Sequence, residues 1–328
     1  MKVQHIIGAD LSKESIDLFF HQLRTHLKIE NSLKGFRQML KWLRDQKTHP
    51  SQIMIVMEHT GLYSYQMEVF LHEHNVSFTK VSALAIKRSL GLVRGKNDKI
   101  DAQRIARYGF EKRDLLVAAS KPIKVIERLK MLHSTRDRLV RHRASLICAI
   151  RQYEGILKPS DLIIQSHFGL VKNFDKQIKK IEAEISTLIT QDQRVNQNFQ
   201  LLKTIKAVGK ITATAAIIKT GNFTQFPTAR KFACYCGIAP FEHSSGKSIQ
   251  GKTRISHLAD KEMKTLLHQS AKCAIQYDEE LKRFYERRLA MGKSKKSTIN
   301  IVRNKILYRM FSVIRRQTPF IDRYLQTA

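Results

Sequence analysis

The sequence predicts an α/β domain over residues 1–120, a helical coiled-coil connector over 121–197 and a mainly helical domain over 198–328. Three observations carry this expectation. Short strand-like apolar runs are confined to the first part of the chain, up to about Val81. From about Pro122 onward, apolar residues recur every three or four positions, the period of a helix face. The 328 residues also exceed what a single core usually serves.

The elements follow in order. His5–Asp10 (HIIGAD) reads as a strand ending in a carboxylate, and Leu11-Ser12-Lys13 turns the chain. Ser15–Phe20 and Leu27–Glu30 read as two more strands, completing an antiparallel meander. Asn31 or Ser32 caps a helix through about Asp45, with Leu33, Phe36, Leu40 and Leu43 on one face. Gln52–Met57 is nearly all apolar, as a central strand covered on both sides requires, and it ends in Glu58-His59. A helix from Tyr63 to His74, a strand at Val76–Val81 and a helix from Ala83 follow. This order fits an RNase H-like domain. There the first strand and the strand after the first helix are neighbours, which sets Asp10 beside Glu58.

The segment Gly95–Gly109 (GKNDKIDAQRIARYG) carries Asp98 and Asp101 in an otherwise basic helix. Asn97 or Asp98 can cap its start, Ala102, Ile105 and Ala106 form an apolar stripe, and Gly109 can end it. Spacing of i, i+3 puts both carboxylates on one face, with Cβ atoms roughly 5–6 Å apart. Their repulsion calls for a positive charge. Lys96, Lys99 or Arg104 would serve, and so would a divalent cation. Four carboxylates on these elements suit Mg²⁺ or Mn²⁺, which favour oxygen ligands. Taken singly, Asp10 is also a turn residue, Glu58 a lysine partner, and Asp98 and Asp101 a solvated helix start.

Composition narrows the function. Lys and Arg outnumber Asp and Glu 59 to 28, for a net charge of +31. An enzyme of small neutral substrates has no use for this charge, whereas a nucleic-acid binder gains counterion release from it. No apolar run approaches the roughly 20 residues of a spanning helix, and the first residues lack the pattern of a signal peptide. Cys148, Cys234, Cys236 and Cys273 form no C-x-x-C pair and read as reduced thiols of a cytoplasmic protein.

The runs Ile-Gly-Ala-Asp10, Glu58-His-Thr-Gly and Asn-Asp98-Lys-Ile-Asp101-Ala resemble the motifs of the DEDD transposases of bacterial insertion sequences, insertion-sequence-110 type. They also resemble the related Piv-type DNA invertases. The resemblance implies a RuvC-like metal site with Asp10, Glu58, Asp98 and Asp101 as ligands of Mg²⁺ or Mn²⁺. His59 stands where the family usually has Ala.

In the connector, Val125, Leu129, Leu132, Leu139, Leu146, Ile150, Tyr153 and Leu157 follow a four-three rhythm, interrupted by Arg136 and Arg143. After Pro159 the rhythm returns at Val171, Phe174, Ile178, Ile181, Ile185 and Leu188. Two heptad seams suggest an antiparallel hairpin or a dimerising coiled coil. The outer face, with Arg138 and Arg141, reads as a nucleic-acid backbone track or a solvated surface. Leu201–Ala213 resembles a helix–hairpin–helix, with Ala207 in place of the first hairpin glycine.

The stretch GIAPFEHSSGKSIQGKTRIS (Gly237–Ser256) has three readings. Gly246–Thr253 fits the P-loop pattern, which requires a strand before it and a helix after it. A flexible loop is the plainest reading. The third is a phosphodiester site in which Lys247, Lys252 and Arg254 hold the charge beside a nucleophilic serine. This segment too is similar to the transposase family, where the serine before the first glycine joins covalently to DNA. By position that is Ser245; spacing alone leaves Ser244 and Ser248 open. The chain then reads as a helix over Ala271–Leu289, a cationic loop with Lys293, Lys295 and Lys296, and a helix over Thr298–Arg316. On that last helix Arg303, Lys305, Arg309, Arg315 and Arg316 are left for phosphates.

The resemblance implies a recombinase acting on donor and target double-stranded DNA, guided by a structured bridge RNA. It further implies a homo-oligomer, a dimer or a tetramer when synapsed, located in the cytoplasm and on the nucleoid when bound to DNA. A resolvase-type metal nuclease would share the four acids without the serine. A non-catalytic RNA- or DNA-binding protein would need only the basic surface.

Overall fold

The computed structural model describes residues 4–59, 61–91, 95, 97–119, 123–245, 249–255 and 258–322, with the side chains of residues 62 and 242–254 left aside. The chain forms two compact units, Met1–Pro122 and Ile123–Ala328.

The first unit is a five-stranded sheet between helices. Strands β1 (His5–Leu11), β2 (Ser15–Phe20) and β3 (Thr25–Glu30) form the expected meander. Helix α1 (Leu33–Asp45) follows, capped by the Ser32 side chain on the Gly35 N–H. Its buried residues are Gly35, Phe36, Met39 and Leu43, whereas Leu33 is 58% exposed. Leu33 was expected inward, but as the first residue of α1 it faces solvent. Strand β4 (Ile53–Glu58), helix α2 (Tyr65–Glu73), strand β5 (Ser77–Val81) and helix α3 (Ala83–Ser89) come next. The strand order is β3-β2-β1-β4-β5, and β4 runs parallel to both β1 and β5. This is the neighbour relation that the RNase H-like reading requires.

Alternation divides the sheet into two faces. Ile7, Ala9, Leu11, Ile53, Ile55 and Met57 face the core that contains Phe36, Met39, Met67 and Phe70 of α1 and α2. The other face takes helix α4 (Asp98–Glu111). Gly8 makes this possible: a Cβ there would lie 2.2 Å from the Ala102 carbonyl oxygen and 2.3 Å from the Ala106 nitrogen. Gly109 was expected to end α4 but lies inside it. A Cβ on Gly109 would come within 2.6 Å of Val56 Cγ2 and 2.8 Å of Ile6 Cγ2. Both glycines and both alanines therefore let helix and sheet backbones approach closely.

The second unit is almost wholly helical. Helix α5 (Lys124–Tyr153) and helix α6 (Leu162–Gln191) pack as an antiparallel hairpin. Leu157, expected in the first seam, lies beyond the end of α5. The two seam arginines are accounted for: Arg136 Nε donates to Glu182 at 2.6 Å, and Arg143 Nε to Asp175 at 2.6 Å. Ile126 and Leu129 at the start of α5, with Ile185 and Ile189 at the end of α6, join a core shared with the remaining helices.

Those helices are α7 (Gln193–Lys203), α8 (Lys210–Thr220), α9 (Ala229–Tyr235), α10 (Lys261–Tyr277), α11 (Glu279–Ala290) and α12 (Lys295–Arg316). Between α9 and α10 runs a hairpin of β6 (Pro240–Ser245) and β7 (Ile249–Ile255). Two expectations change here. The single helix expected over Ala271–Leu289 is two, because Asp278 caps α11 through the Leu281 N–H. The cationic loop is shorter than expected, because Ser294 caps α12 and places Lys295 and Lys296 in its first turn. Among the described residues, no helix is long and apolar enough to cross a membrane.

Candidate functional site

Three elements of the first unit bring the expected acids together. Asp10 is on the α4 side of β1, two residues beyond Gly8. Parallel pairing of Ala9 with Met57 puts Asp10 next to Glu58 at the ends of two adjacent strands. Asn97 caps α4 by accepting the Ile100 N–H at 2.8 Å, which places Asp98 and Asp101 in the first turn. Because Ala102 and Ala106 rest on Gly8, that turn comes down over the strand ends.

Electrostatics report the convergence. The Asp10 carboxyl is pushed up to about 6, first by burial and then by the charges of Asp101, Asp98, Glu58 and Asp17. Asp17 is a fifth acid that the sequence reading missed. It pairs directly opposite Asp10 across β1 and β2 and is 4% exposed. The signal was available: a hairpin turning at residues 12–14 sets position 17 opposite position 10. Asp17 is held by His26 Nε2 at 2.7 Å and Lys28 Nζ at 3.5 Å. Lys28 Nζ also lies 4.0 Å from Asp98, and Arg104 donates to Asp101 at 2.9 Å and to the Gly95 carbonyl at 2.8 Å. Of the cations expected to offset the α4 acids, Arg104 is in place, and Lys28 joins it from β3.

The donor set fits a hard divalent cation in chemistry and charge: oxygen ligands only, with an excess of negative charge that raises Asp10. Among the described residues, no three His, Cys, Asp or Glu side chains stand close enough to hold an ion together. Arg104 pairs with Asp101, and Lys28 stands 4.0 Å from Asp98. Asp10, Glu58, Asp98 and Asp101 are the residues that would hold the cation.

The serine candidates are in the second unit. Ser245 is the last residue of β6 and pairs with Ile249, and Ser244 pairs with Gln250. The flexible-loop expectation is therefore corrected to a β-hairpin, with an irregularity between Phe241 and His243. The P-loop reading fails, because Gly251, Lys252 and Thr253 lie within β7 and open no helix. Lys247 and Ser248 lie outside the described residues. Lys252 and Arg254 are on β7.

The root of this hairpin is firmly held. The Asp260 N–H donates to the Tyr235 carbonyl at 2.9 Å, and the Tyr235 hydroxyl to Asp260 Oδ2 at 3.0 Å. Lys219 reaches Asp260 at 2.8 Å and Glu262 at 2.9 Å. His133 pairs with Glu262 at 2.5 Å and holds it down to about 2; Lys219 adds to this and burial opposes it. Asn300 and Asn304 both donate to the Ile238 carbonyl, at 2.8 and 3.0 Å.

The candidate nucleic-acid contacts differ in character. Arg138 is exposed, and Arg141 pairs with Asp137 at 2.8 Å while staying 73% exposed. Lys293, Lys295 and Lys296 are exposed. Arg303 is half-buried against His268. Arg309 is corrected from a phosphate contact to a structural residue: it is 11% exposed and paired with Asp278 and Glu280 at 2.5 and 2.6 Å. Between α7 and α8, Ala207 has φ of +69°, a backbone that glycine adopts more readily.

Two family models match the chain. One, described as "Transposase" of the DEDD_Tnp_IS110 type, covers residues 7–154. The other, described as "Transposase IS116/IS110/IS902 family", covers residues 199–286. The pilin gene-inverting protein of Moraxella bovis is 27% identical over 97% of this chain and 98% of its own length. A probable family 20 transposase of Pseudomonas aeruginosa is 25% identical over 82% of this chain and 83% of its own. The transposase for insertion sequence element IS1111A of Coxiella burnetii is 25% identical over 56% of each. With one model matching across the acid-bearing sheet and the other across the second unit on both sides of the serine hairpin, the chain belongs to the IS110 family of transposases.

Proposed function

We propose that this transposase cuts and rejoins double-stranded DNA through a phosphoserine link on Ser245, with Asp10, Glu58, Asp98 and Asp101 serving the same reaction. The observation that carries the reading is the convergence of Asp10, Glu58 and the first turn of α4, felt as the raised Asp10 carboxyl. In the cutting step, the serine Oγ–phosphorus bond forms as a phosphorus–sugar oxygen bond breaks. The hydroxyl proton leaves and the departing sugar oxygen gains one, so the bond is stored for rejoining. Bound Mg²⁺ or Mn²⁺ would supply Lewis-acid stabilisation of phosphate charge and ease deprotonation of the hydroxyl.

The remaining parts of the reading follow the resemblance. A structured guide RNA pairs with donor and target DNA. The exposed face of α5 with Arg138 and Arg141, and the segment with Lys293, Lys295 and Lys296, track nucleic-acid backbones. Lys247, Lys252 and Arg254 hold the phosphate beside the serine. Residues 121–197 act as a connector and 198–328 as the serine-bearing domain. In an oligomer of cytoplasmic protein, the acids of one copy act with the serine of another.

The test is a reaction with Mg²⁺, duplex DNA and guide RNA, quenched in denaturant. DNA covalently attached to protein is expected. Ser245→Ala removes the adduct while RNA binding persists, and Asp98→Asn or Asp101→Asn abolishes strand chemistry without loss of binding. Cleavage by wild type with no adduct would make the protein a resolvase-type nuclease. An adduct formed by Ser245→Ala would move the nucleophile to another residue.

A further inference from the structure

In the second unit, two covered cations are each matched by a pair of acids. Lys219 holds Asp260 and Glu262, and Arg309 holds Asp278 and Glu280. Arg303 is held differently; like Arg288 it has a buried Nε without a partner, but Arg303 also faces a histidine and stands beside the hairpin root. Its guanidinium donates to His268 Nδ1 at 2.7 Å and reaches Asn300 Oδ1 at 3.5 Å. Its Nε is buried without a hydrogen-bond partner. Among the described residues, no carboxylate pairs with it.

A guanidinium has no acceptor, so His268 Nδ1 must be the accepting atom, and in the neutral ring Nε2 carries the proton. The pair therefore presents donors and a net positive charge with nothing negative to receive it. Burial, Arg303 and Lys272 all lower the His268 pKa, which keeps the ring neutral and the bond to Arg303 intact. Burial also lowers the Arg303 pKa.

The position is informative. Arg303 lies on α12 between Asn300 and Asn304, the two residues that hold the Ile238 carbonyl at the root of the β6–β7 hairpin. We infer that Arg303 and His268 form an anion site for a backbone phosphate of the DNA strand engaged by that hairpin. The inference rests on the hairpin being the DNA-cleaving element. Guanidinium suits a phosphodiester because its fork of N–H groups matches two phosphate oxygens. Asn300 serves two tasks, tying the hairpin root through Nδ2 while facing Arg303 through Oδ1. The phosphate and the hairpin are thereby referenced to the same turn of α12.

The test measures binding of the full-length protein to a fluorescent 30-mer duplex and to a single-stranded RNA of equal length, across a series of salt concentrations. For Arg303→Gln, the slope of log affinity against log salt on duplex should fall by about 0.9, the value of one phosphate contact. Affinity at low salt should drop roughly tenfold, as loss of one charged hydrogen bond implies. Arg303→Lys should keep the wild-type slope, because the charge remains. A purely structural arginine would lower the melting temperature in both variants and leave both slopes unchanged; that result overturns the inference. A slope change seen only on RNA overturns the assignment to DNA. Ser245→Ala must bind with the wild-type slope, so failure of the serine reading in the adduct assay stays separate from failure here.

Discussion

Asp10→Asn should stabilise the metal-free protein while destroying its chemistry. The structure sets the size of the effect. Asp10 titrates at about 6 rather than 3.8, so its ionised form is disfavoured in the folded state. A shift of this size corresponds to at most about 3 kcal/mol, and solvent screening of a half-buried group brings it to about 1–2 kcal/mol. The sign follows from proton linkage. A carboxyl whose pKa is raised on folding adds stability that is fully present below its unfolded value of 3.8 and is lost as pH rises through about 6. Wild type is therefore penalised at pH 8, and the neutral asparagine is not. In EDTA at pH 8, the unfolding transition of the first unit should rise by roughly 4–10 °C in the variant. At pH 4.5, where wild-type Asp10 is mostly protonated when folded, the gain should fall to about a third. Millimolar Mg²⁺ should then raise the wild-type melting temperature and leave the variant unmoved. The assay is thermal unfolding followed by circular dichroism. No gain at pH 8, or an equal gain at both pH values, would refute the convergence of the acids on Asp10.

Two further outcomes concern the backbone. Gly8→Ala should lift α4 from the sheet, destabilise the first unit by about 3 kcal/mol or more, and abolish adduct formation although no carboxylate is changed; chemical denaturation and the adduct assay check both. Ala207→Gly should relieve a left-handed backbone at a partly buried turn and stabilise the second unit by about 1 kcal/mol, read as a higher melting temperature with unchanged DNA affinity.

Much of the first unit was legible because its signals are local. The short apolar runs in HIIGAD and SIDLFF, the continuous run QIMIVM and the acids at the strand ends each depend on a few adjacent residues. What escaped depends on partners distant in sequence. Gly109 looks like a terminator when only its own helix is considered; its packing against Val56 and Ile6 shows why a glycine is needed there. Asp17 looks like an ordinary strand-edge polar residue until it is registered opposite Asp10. Arg309 looks free on a basic helix, because Asp278 and Glu280 come from another helix. The serine segment was least legible. Its Gly, Ser and Lys residues have poor strand propensity, so a loop was the natural reading, and pairing with β7 overrides that tendency.

The seam arginines of the α5–α6 hairpin decide which assemblies that seam permits. Arg136 and Arg143 find Glu182 and Asp175 only because the two helices run in opposite directions. Two α5 helices laid parallel would set arginine against arginine at both positions, with no acid to receive either. The seam thus rejects the simplest zipper between copies and accepts its own α6. An oligomer must use a different surface, or open the hairpin at residues 154–161 and trade α6 helices, with each arginine meeting the same acid from another chain.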